Sequence, residues 1–348
     1  MDAFNWKNMK VAILTPTFSH FSGIDRVVEL QAEELNKKGH DVRIVCLKAE
    51  MKSKFAKIIQ LGIPKSSFIE RVNRLFFFLD REKINKGVEA IKDCDLAIAH
   101  LYPMTIIAAK AKKYGVKFRY HNHGVADPEL FETAAERNYM KLFNKLSNRY
   151  IRNCDEVVSI SNYLKKILKK ETGINSRIEY DKIDPKRFNK NTREKYAVEI
   201  KRLRQKYPKI VFFVGRLSPH KGVDLLIKTF KKVLEKNPHA YLLIGGKQTF
   251  SGYGKKLLKM SNDHIIFLGQ IPDEKLQVYY AAADVYATAT LWEGFNMTIA
   301  EANACGTPVV AFDIGPHKEV IKKGVLVKPK NVEEFANQIN KFLISRRI

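Results

Sequence analysis

Residues 210–215 (IVFFVG) form a short apolar run that is followed by a loop and then by a helical pattern. Such a run is typical of a strand that is buried on both faces of a parallel sheet. The loop reads RLSPHKG, and the residues after it, VDLLIKTFKKVLEK, place apolar side chains at helical spacing. This order of strand, loop and helix predicts an α/β fold built on a parallel sheet.

Two cations, Arg216 and Lys221, lie in the loop that follows this predicted strand. Open α/β sheets bind their ligands beyond the carboxyl ends of the strands. Arginine offers a planar fork for phosphate oxygens, and lysine offers a compact point charge. The loop is therefore a candidate phosphate site, although a solvated surface loop would carry the same residues.

Two carboxylates, Glu293 and Glu301, flank a second junction of this kind. A short strand over residues 284–288 leads to Glu293, and a predicted helix over residues 297–305 holds Glu301 roughly one turn from its start. Helix starts attract phosphate, and carboxylates accept hydrogen bonds from sugar hydroxyls. A sugar nucleotide offers both groups, although two glutamates are also ordinary at a solvated helix start.

Taken together, these motifs resemble those of a known family. The segments VGRLSPHKGVDLLIKTF and FLGQIPDEKLQVYYAAADVYATATLWEGFNMTIAEANACGTPVVA look like the donor half of the retaining glycosyltransferases of family 4. The spacing Glu-x7-Glu is weak alone, but GR-x4-K precedes it and ACGTPVV follows it. The resemblance covers nearly the whole chain and implies the GT-B fold, an α/β architecture of two Rossmann-like domains with parallel sheets that face each other across a cleft.

The resemblance also implies a domain division of the 348 residues. An acceptor-binding Rossmann-like domain is expected over residues 1–188, and a basic connector over 189–209. A nucleotide-sugar-binding Rossmann-like domain is expected over 210–348. In the family a final helix crosses back onto the N-terminal domain, whereas this chain ends at Ile348, so that tether is expected to be missing.

The N-terminal half also begins with an α/β pattern. Residues 10–16 (KVAILTP) read as a strand, and the loop FSHFSGIDR leads to the helical run VVELQAEELNKKG and to a second strand, HDVRIVCL. No G-x-G-x-x-G follows the first strand, which argues against a dinucleotide-dependent dehydrogenase. Residues 95–100 and 116–120 read as further strands, with His100 and His123 at or just beyond their ends.

The chain departs from the family pattern at three places. The family usually has two adjacent glycines in the first loop, whereas this chain has Ser22-Gly23, so only Gly23 carries over. The usual Asn-Gly of the last N-domain segment is Asp181-Lys182, and a lysine is not expected to reproduce the backbone freedom of glycine. Asn296 replaces a glycine that is common in the family.

The resemblance implies a retaining, metal-independent hexosyltransferase that needs no cofactor. Arg216, Lys221 and the helix start near Thr298 would stabilise the charge that builds on the leaving diphosphate. Glu301 would accept hydrogen bonds from the ribose hydroxyls, and Glu293 would hold the hydroxyls of the donor sugar.

Further contacts to the donor are implied on both halves. His123 would lie beside the donor sugar and is counted with the catalytic residues. The other candidate donor-binding residues are Gly23, Gly215, Gly294, Phe295, Asn296 and Met297. The acceptor would be a glycan or a lipid-linked sugar.

Other functions fit the same motifs. One alternative is a catalytically silent sugar-nucleotide-binding protein or a subunit that depends on a partner. Another is a sugar-nucleotide epimerase of the same fold. Transfer or hydrolysis of a donor by the purified protein would separate these readings.

The net charge of +25 has three explanations. Nucleic-acid binding is not expected, because no module interleaves basic residues with stacking aromatics. A solvated basic surface is the second explanation, and an anionic membrane surface is the third. The third draws on the segment 71–79 (RVNRLFFFL), whose residues 76–78 could also be core, and on a basic ridge that a helix over residues 139–152 would form. The ridge consists of Lys141, Lys145, Arg149 and Arg152.

The sequence gives no convincing metal site. Asp93-Cys94-Asp95 has the DxD form of some metal-dependent transferases, but it directly precedes a predicted strand. His121-Asn122-His123 could be half of a metal site, but no third ligand is near it in sequence. Four scattered cysteines indicate reduced thiols, and no apolar run approaches the length of a membrane span. A cytoplasmic protein is expected, with peripheral membrane binding as a further hypothesis.

Overall fold

The computed structural model describes residues 8–19, 23–64, 66–131, 133–248 and 251–345. Contacts within the backbone divide the chain into two compact units. The first unit comprises Met1–Val125 and Asn138–Lys182, and the second comprises Ala126–Arg137 and Ile183–Ile348. Each unit is built around a parallel sheet of its own.

The described strands of the first unit form a seven-stranded parallel sheet. They are β1 (Lys10–Phe18), β2 (Asp41–Ala49), β3 (Lys57–Gln60), β4 (Leu96–Ala99), β5 (Lys117–Asn122), β6 (Glu156–Ser159) and β7 (Arg177–Ile178). Their order across the sheet is β3-β2-β1-β4-β5-β6-β7. In β1 the residues from Val11 to Pro16 are all buried, as expected for a strand that is covered on both faces.

Helices connect these strands. They are α1 (Gly23–Lys37), α2 (Ser67–Leu75), α3 (Arg81–Glu89), α4 (Met104–Ala111), α5 (Ala134–Ile151) and α6 (Asn162–Thr172). Three of them begin at a side-chain cap, because Asp80 accepts a hydrogen bond from the Lys83 amide, Thr133 from the Glu136 amide and Ser161 from the Leu164 amide. The helix α6 ends at Gly173 in the left-handed conformation.

The second unit repeats this plan. Its helices in the described residues are α7 (Thr192–Lys195), α8 (Ala197–Lys206), α9 (Val223–Lys236), α10 (Ser251–Met260), α11 (Asp273–Ala282), α12 (Met297–Ala304), α13 (His317–Val320) and α14 (Val332–Ser345). The strands are β8 (Lys209–Val214), β9 (Ala240–Gly245), β10 (Ile265–Gly269), β11 (Val285–Thr288), β12 (Val309–Phe312) and β13 (Gly324–Val327). These six described strands are parallel in the order β10-β9-β8-β11-β12-β13.

Each sheet has one point at which the strand order reverses. In the first unit this point lies between β1 and β4, and in the second it lies between β8 and β11. The loops at the carboxyl ends of these strand pairs lead away to opposite sides and leave a crevice there, which is where open α/β sheets bind ligands. The topology therefore predicts one ligand crevice per unit.

The fold class predicted from the sequence is confirmed. The apolar run at residues 210–215 is β8, the run at 10–16 begins β1, and the helix expected over 297–305 is α12. The helix expected over residues 139–152 is longer at its start, because α5 begins at Ala134. Ser22 of the first loop lies outside the described residues.

The contact division differs in detail from the domain boundaries predicted above. The first unit ends at Lys182 rather than at residue 188, and residues 126–137 group with the second unit. The ring of Phe131, which is 8% exposed, lies 6.1 Å from the ring of His220 in the second unit. This packing explains the assignment of that segment.

The basic stretch 189–209 also belongs to the second unit. It contains α7 and α8, and Gln277 of α11 donates a hydrogen bond to the Tyr196 hydroxyl at 3.1 Å. Arg204 donates to the nearly buried Asp284 at 3.0 Å and to the Ala282 carbonyl at 2.8 Å. These contacts hold the stretch against its own unit.

No helix among the described residues combines the length and the apolar character needed to cross a bilayer.

Candidate functional site

Lys221 and Glu293 lie at the crevice of the second unit. Lys221 ends a short 3-10 turn after β8, just before α9. Glu293 lies in the loop between β11 and α12. Because β8 and β11 are paired neighbours on the two sides of the reversal point, these loops lie next to each other.

Backbone contacts fix the spacing of the two loops. The His220 carbonyl accepts hydrogen bonds from the Leu291 amide at 2.8 Å and from the Thr290 hydroxyl at 3.0 Å. Gly222 has a φ of 61°, and a Cβ atom there would lie 2.0 Å from the Ala289 carbonyl oxygen. Only glycine can make so close an approach, so the loop after β8 is held tightly against the loop after β11.

The two predicted ligand-binding side chains are in contact with each other. The Lys221 ammonium forms a short ion pair with Oε1 of Glu293. Their side chains are 15% and 14% exposed, so both charges are largely withdrawn from water. The sequence analysis assigned these groups to phosphate and to sugar separately and did not predict that they pair.

The start of α12 is organised by Asn296. This residue has a φ of 77°, in the left-handed region that glycine adopts most readily and asparagine tolerates. Its Oδ1 accepts a hydrogen bond from the Thr298 hydroxyl at 2.7 Å, and its Nδ2 lies 2.9 Å from Nε2 of His317. The Tyr286 hydroxyl in turn donates to Thr298 at 2.7 Å. Asn296 thus adopts a backbone conformation that glycine also favours and adds side-chain contacts.

Glu301 lies one turn into α12 and is 1% exposed. Its Oε2 accepts a hydrogen bond from the Tyr280 hydroxyl of α11 at 2.8 Å. The sequence analysis expected this carboxylate to accept hydrogen bonds from a ribose. The structure places it beside the same helix start as Glu293, with one oxygen held by a protein donor.

The other predicted donor residues of the second unit lie around these two loops. Gly215 follows β8, and Arg216 next to it is exposed. A Cβ at Gly246, in the loop after β9, would lie 1.8 Å from the Gly215 carbonyl oxygen. Gly294 and Phe295 are buried between Glu293 and Asn296, whereas Met297 is partly exposed.

In the first unit, His123 belongs to a cluster of buried histidines. His100 follows β4, His121 lies in β5, and His123 follows β5. The Nδ1 atom of His100 lies 2.8 Å from Nε2 of His123, and its Nε2 lies 3.0 Å from Oε1 of Gln31 on α1. Sequence reasoning placed His100 at a strand end but did not connect it to His123.

These contacts determine which ring nitrogens carry protons. The Gln31 oxygen can only accept, so Nε2 of His100 carries its proton and Nδ1 accepts one from Nε2–H of His123. His123 then keeps an unprotonated Nδ1, which lies 3.8 Å from Oδ2 of Asp181. Burial lowers the pKa of His123 to about 4, so the ring is neutral near pH 7.

Asp181 is one of two carboxyl groups in the described part of the first unit, with Asp25, whose pKa is raised by burial. Burial raises the pKa of Asp181 to about 8, and the negative charge of Glu179 adds to this effect. Near neutral pH its carboxyl group is therefore protonated and uncharged. This position is one of the three at which the chain departs from the family pattern.

The histidine cluster brings together three residues that could ligate a metal ion. One ligand atom from each of His100, His121 and His123 lies within 4.8 Å of the others, so the structure supplies the third ligand that was not found near this motif in sequence. Two imidazole ligands of one zinc ion lie about 3.4 Å apart, whereas the nitrogens of His100 and His123 share a proton at 2.8 Å. The geometry is that of a hydrogen-bonded chain.

The Asp93-Cys94-Asp95 segment is occupied by protein partners. Arg43 donates to both oxygens of Asp93 at 2.6 and 2.8 Å, and the Lys10 ammonium lies 3.0 Å from it. Asp95 accepts a hydrogen bond from the Lys10 amide at 2.8 Å. The segment directly precedes β4, so it lies at the amino ends of the strands, whereas the crevice lies at their carboxyl ends.

Gly23 is the first residue of α1 and is exposed. Asp25, in the first turn of this helix, accepts hydrogen bonds from the Ser19 amide at 2.9 Å and from the Ser19 hydroxyl at 2.8 Å. The described ends of the first loop are therefore tied together beside β1. The predicted residues thus form two sets, with Gly23 and His123 in the first unit and the others in the second.

Two glycosyltransferase family models match the chain. "Glycosyltransferase Family 4" matches residues 21–180, and "Glycosyl transferases group 1" matches residues 194–347. An uncharacterized glycosyltransferase of Methanocaldococcus jannaschii is 33% identical over 171 residues, which are 47% of this chain and 44% of that protein. The chain thus matches less than half the length of this relative.

Solved structures share the fold over nearly the whole chain. Anabaena HepE in complex with UDP and glucose has a TM-score of 0.75 at 21% identity, covering 97% of this chain and 90% of that one. WaaG, a glycosyltransferase involved in lipopolysaccharide biosynthesis, has a TM-score of 0.71 at 18% identity, covering 96% and 90%. At these identities the likeness establishes the fold.

Proposed function

Since glycosyltransferase family models match both halves of the chain and solved glycosyltransferases share its fold, we propose that it transfers a sugar from a nucleotide-diphosphate sugar to an acceptor. The observation that carries this proposal is the pairing of Lys221 with Glu293 beside the start of α12. One crevice therefore holds a cation that can bind phosphate, a carboxylate that can bind hydroxyls and a helix start that attracts negative charge.

Each group has a role that follows from its position. Lys221, Arg216 and the start of α12 at Thr298 stabilise the negative charge that develops on the departing diphosphate. Glu293 and the backbone of residues 294–297 bind the hydroxyls of the donor sugar, and Glu301 binds the ribose.

His123 has a separate role in the first unit. Its neutral ring gives Nε2–H to His100 and keeps Nδ1 as an acceptor for a hydroxyl of the donor sugar.

We also propose that transfer retains the configuration of the sugar and requires no metal ion. The support for metal independence is that cations of the protein lie where charge would develop. In addition, Asp93 of the acidic motif is paired with Arg43 and Lys10. His123 of the histidine motif forms a hydrogen-bonded chain with His100.

The acceptor is proposed to be lipid-linked and to be reached at an anionic membrane surface. The helix α2 and the turn after it expose four apolar side chains that line a groove of about 370 Å³: Ile69, Val72, Phe76 and Leu79. Of the aromatic run at residues 76–78, Phe77 is fully buried and packs in the core. The membrane hypothesis therefore rests on Leu79 and Phe76, which are 67% and 40% exposed.

A basic surface adjoins this groove. The Tyr139 hydroxyl of α5 donates to the Arg71 carbonyl of α2 at 3.3 Å, so the two helices are neighbours. The four residues of the basic ridge, Lys141, Lys145, Arg149 and Arg152, are all exposed. Apolar side chains beside a row of exposed cations are the features with which interfacial helices bind anionic lipid.

The donor site is tested with nucleotide sugars and three variants. A panel of nucleotide sugars, beginning with UDP-glucose, should contain a compound that raises the melting temperature, because a ligand of the native state stabilises it. Arg216→Ala and Lys221→Ala should each reduce turnover of that donor by about a hundredfold, the scale of losing one charge-stabilising donor. Glu301→Ala should weaken binding of the nucleoside diphosphate.

Lys232→Ala serves as the matched control for these variants. Lys232 lies on α9 of the same unit and pairs with the exposed Glu333, so its loss should leave donor binding and turnover unchanged. Normal donor binding and normal turnover in all three site variants would show that the site has been assigned wrongly.

A further inference from the structure

The ion pair between Lys221 and Glu293 has a consequence for ligand choice. Both side chains are largely buried, and a carboxylate in such a place is costly without a cation. His317 and Tyr286 are coupled electrostatically to Glu293. Burial lowers the pKa of His317 and raises that of Tyr286, so both neighbours are neutral near pH 7. Lys221 therefore balances the charge of Glu293 by direct pairing.

The pair is also fixed in place by the backbone. The loops that carry the two residues are joined through the His220 carbonyl and through the close approach of Gly222 to Ala289. Neither loop can withdraw without breaking these contacts. A ligand that binds Lys221 therefore weakens the ion pair of Glu293 at the same time.

A nucleoside diphosphate and a nucleotide sugar differ in the groups that they would place beside Glu293. A nucleoside diphosphate would draw Lys221 to its phosphates and would add negative charge close to the carboxylate, which is repulsive. A nucleotide sugar would draw Lys221 in the same way, but its sugar hydroxyls would donate hydrogen bonds to Glu293. Only the nucleotide sugar would therefore replace the interaction that the Glu293 carboxylate loses when Lys221 moves to the phosphates.

We propose that Glu293 discriminates between these ligands, weakening the binding of the nucleoside diphosphate and strengthening the binding of the same nucleotide with its sugar attached. This inference rests on the proposed function and deepens it. Glu293 would then have two roles. It would hold the donor sugar before transfer, and it would favour release of the nucleoside diphosphate after transfer. Product release limits turnover in many enzymes.

The test is Glu293→Gln, which keeps the size of the side chain and removes its charge. Dissociation constants for UDP and for UDP-glucose are measured by titration calorimetry on the full chain. The variant should bind UDP about tenfold more tightly, equivalent to ~1.4 kcal/mol, and should bind UDP-glucose more weakly than the unmodified protein does. The two constants therefore move in opposite directions, which a general loss of structure would not produce.

Two further measurements make the result decisive. The ratio of the two constants, taken on one preparation, does not change with the fraction of protein that is correctly folded. Glu333→Gln removes an equal charge from the exposed pair with Lys232 in the same unit and should leave the ratio unchanged.

The outcomes separate this inference from the proposed function. If the unmodified protein binds both ligands and Glu293→Gln weakens UDP binding or leaves it unchanged, the discrimination is wrong and the proposed function stands. If the unmodified protein binds no nucleoside diphosphate and no nucleotide sugar in the panel, both fail.

Discussion

At the scale of single residues, the Asp181-Lys182 pair shows how the chain accommodates a departure from its family. Lys182 does not adopt a positive φ, so the backbone freedom of glycine is not needed there. Its ammonium instead pairs with Glu34 of α1 at 2.7 Å. Asp181 keeps the size of the family's asparagine but places an ionisable group 3.8 Å from His123.

Asp181 should make stability depend on pH. Its pKa is about 8 in the folded protein, against 3.8 as the ordinary value. Between these values the folded state holds a proton that the unfolded state has lost, so stability falls as the pH rises and the loss is complete above about pH 8. Asp181→Asn cannot ionise, so its melting temperature relative to the unmodified protein should increase from pH 4 to pH 8 and then level off.

The control for this experiment is Asp41→Asn. Asp41 is 59% exposed on the same unit, so its substitution removes one carboxylate from the surface of that unit and leaves the buried carboxyl group of Asp181 in place. Melting curves of Asp181→Asn that run parallel to those of the unmodified protein across this range would contradict the assignment.

Residue types at the site could be read from the sequence, but their partners could not. The RLSPHKG loop and the Glu-x7-Glu spacing identified Lys221 and Glu293, yet these residues are 72 positions apart. Only the neighbouring positions of β8 and β11 in the sheet bring them together. The link between His100 and His123 was missed for the same reason, because it depends on the pairing of β4 with β5.

At the scale of helices and strands, apolar patterning predicted the elements well because buried parallel strands are almost uniformly apolar. The run at residues 76–78 shows the limit of this reasoning. Three successive phenylalanines give no indication of which ring points inward, and the short turn after α2 buries Phe77 while leaving Phe76 partly exposed.

The surface formed by α2 and α5 should bind anionic vesicles at low salt. Each cation near such a bilayer contributes about 1 kcal/mol, and salt should weaken the attraction because the charges are exposed. Reversing the four residues of the basic ridge to Glu should abolish co-sedimentation with the vesicles and leave donor binding intact. Phe76→Ser with Leu79→Ser should weaken co-sedimentation without changing the charge.

A matched control separates the ridge from total charge. Reversing Lys165, Lys166, Lys169 and Lys170 on α6 changes the net charge equally and should retain most of the binding. If the unmodified protein does not sediment with the vesicles, or if both reversals act alike, the ridge is ordinary solvated surface and a soluble acceptor is favoured.

At the scale of the whole molecule, the proposed reaction relies on cations of the protein, and no cofactor chemistry is invoked. Transfer should therefore survive excess EDTA, because the charge on the leaving group is balanced by Arg216, Lys221 and α12. Asp93→Ala should lower stability by about 1 kcal/mol at most, since Asp93 is 43% exposed and surface ion pairs contribute little. Activity that is lost in EDTA and restored by magnesium or manganese would contradict metal independence.

The segment Ala126–Arg137 determines how this protein could be divided genetically. The polypeptide leaves the first unit at residue 125, contributes this short segment to the second unit, and returns before its final crossing at residue 183. A gene fragment that begins at Ile183 would encode every strand of the second sheet but not Phe131, which packs on His220 immediately before Lys221. Recombination at that boundary would exchange a sheet without the segment that packs on the loop after β8, so the inherited module is discontinuous in the gene.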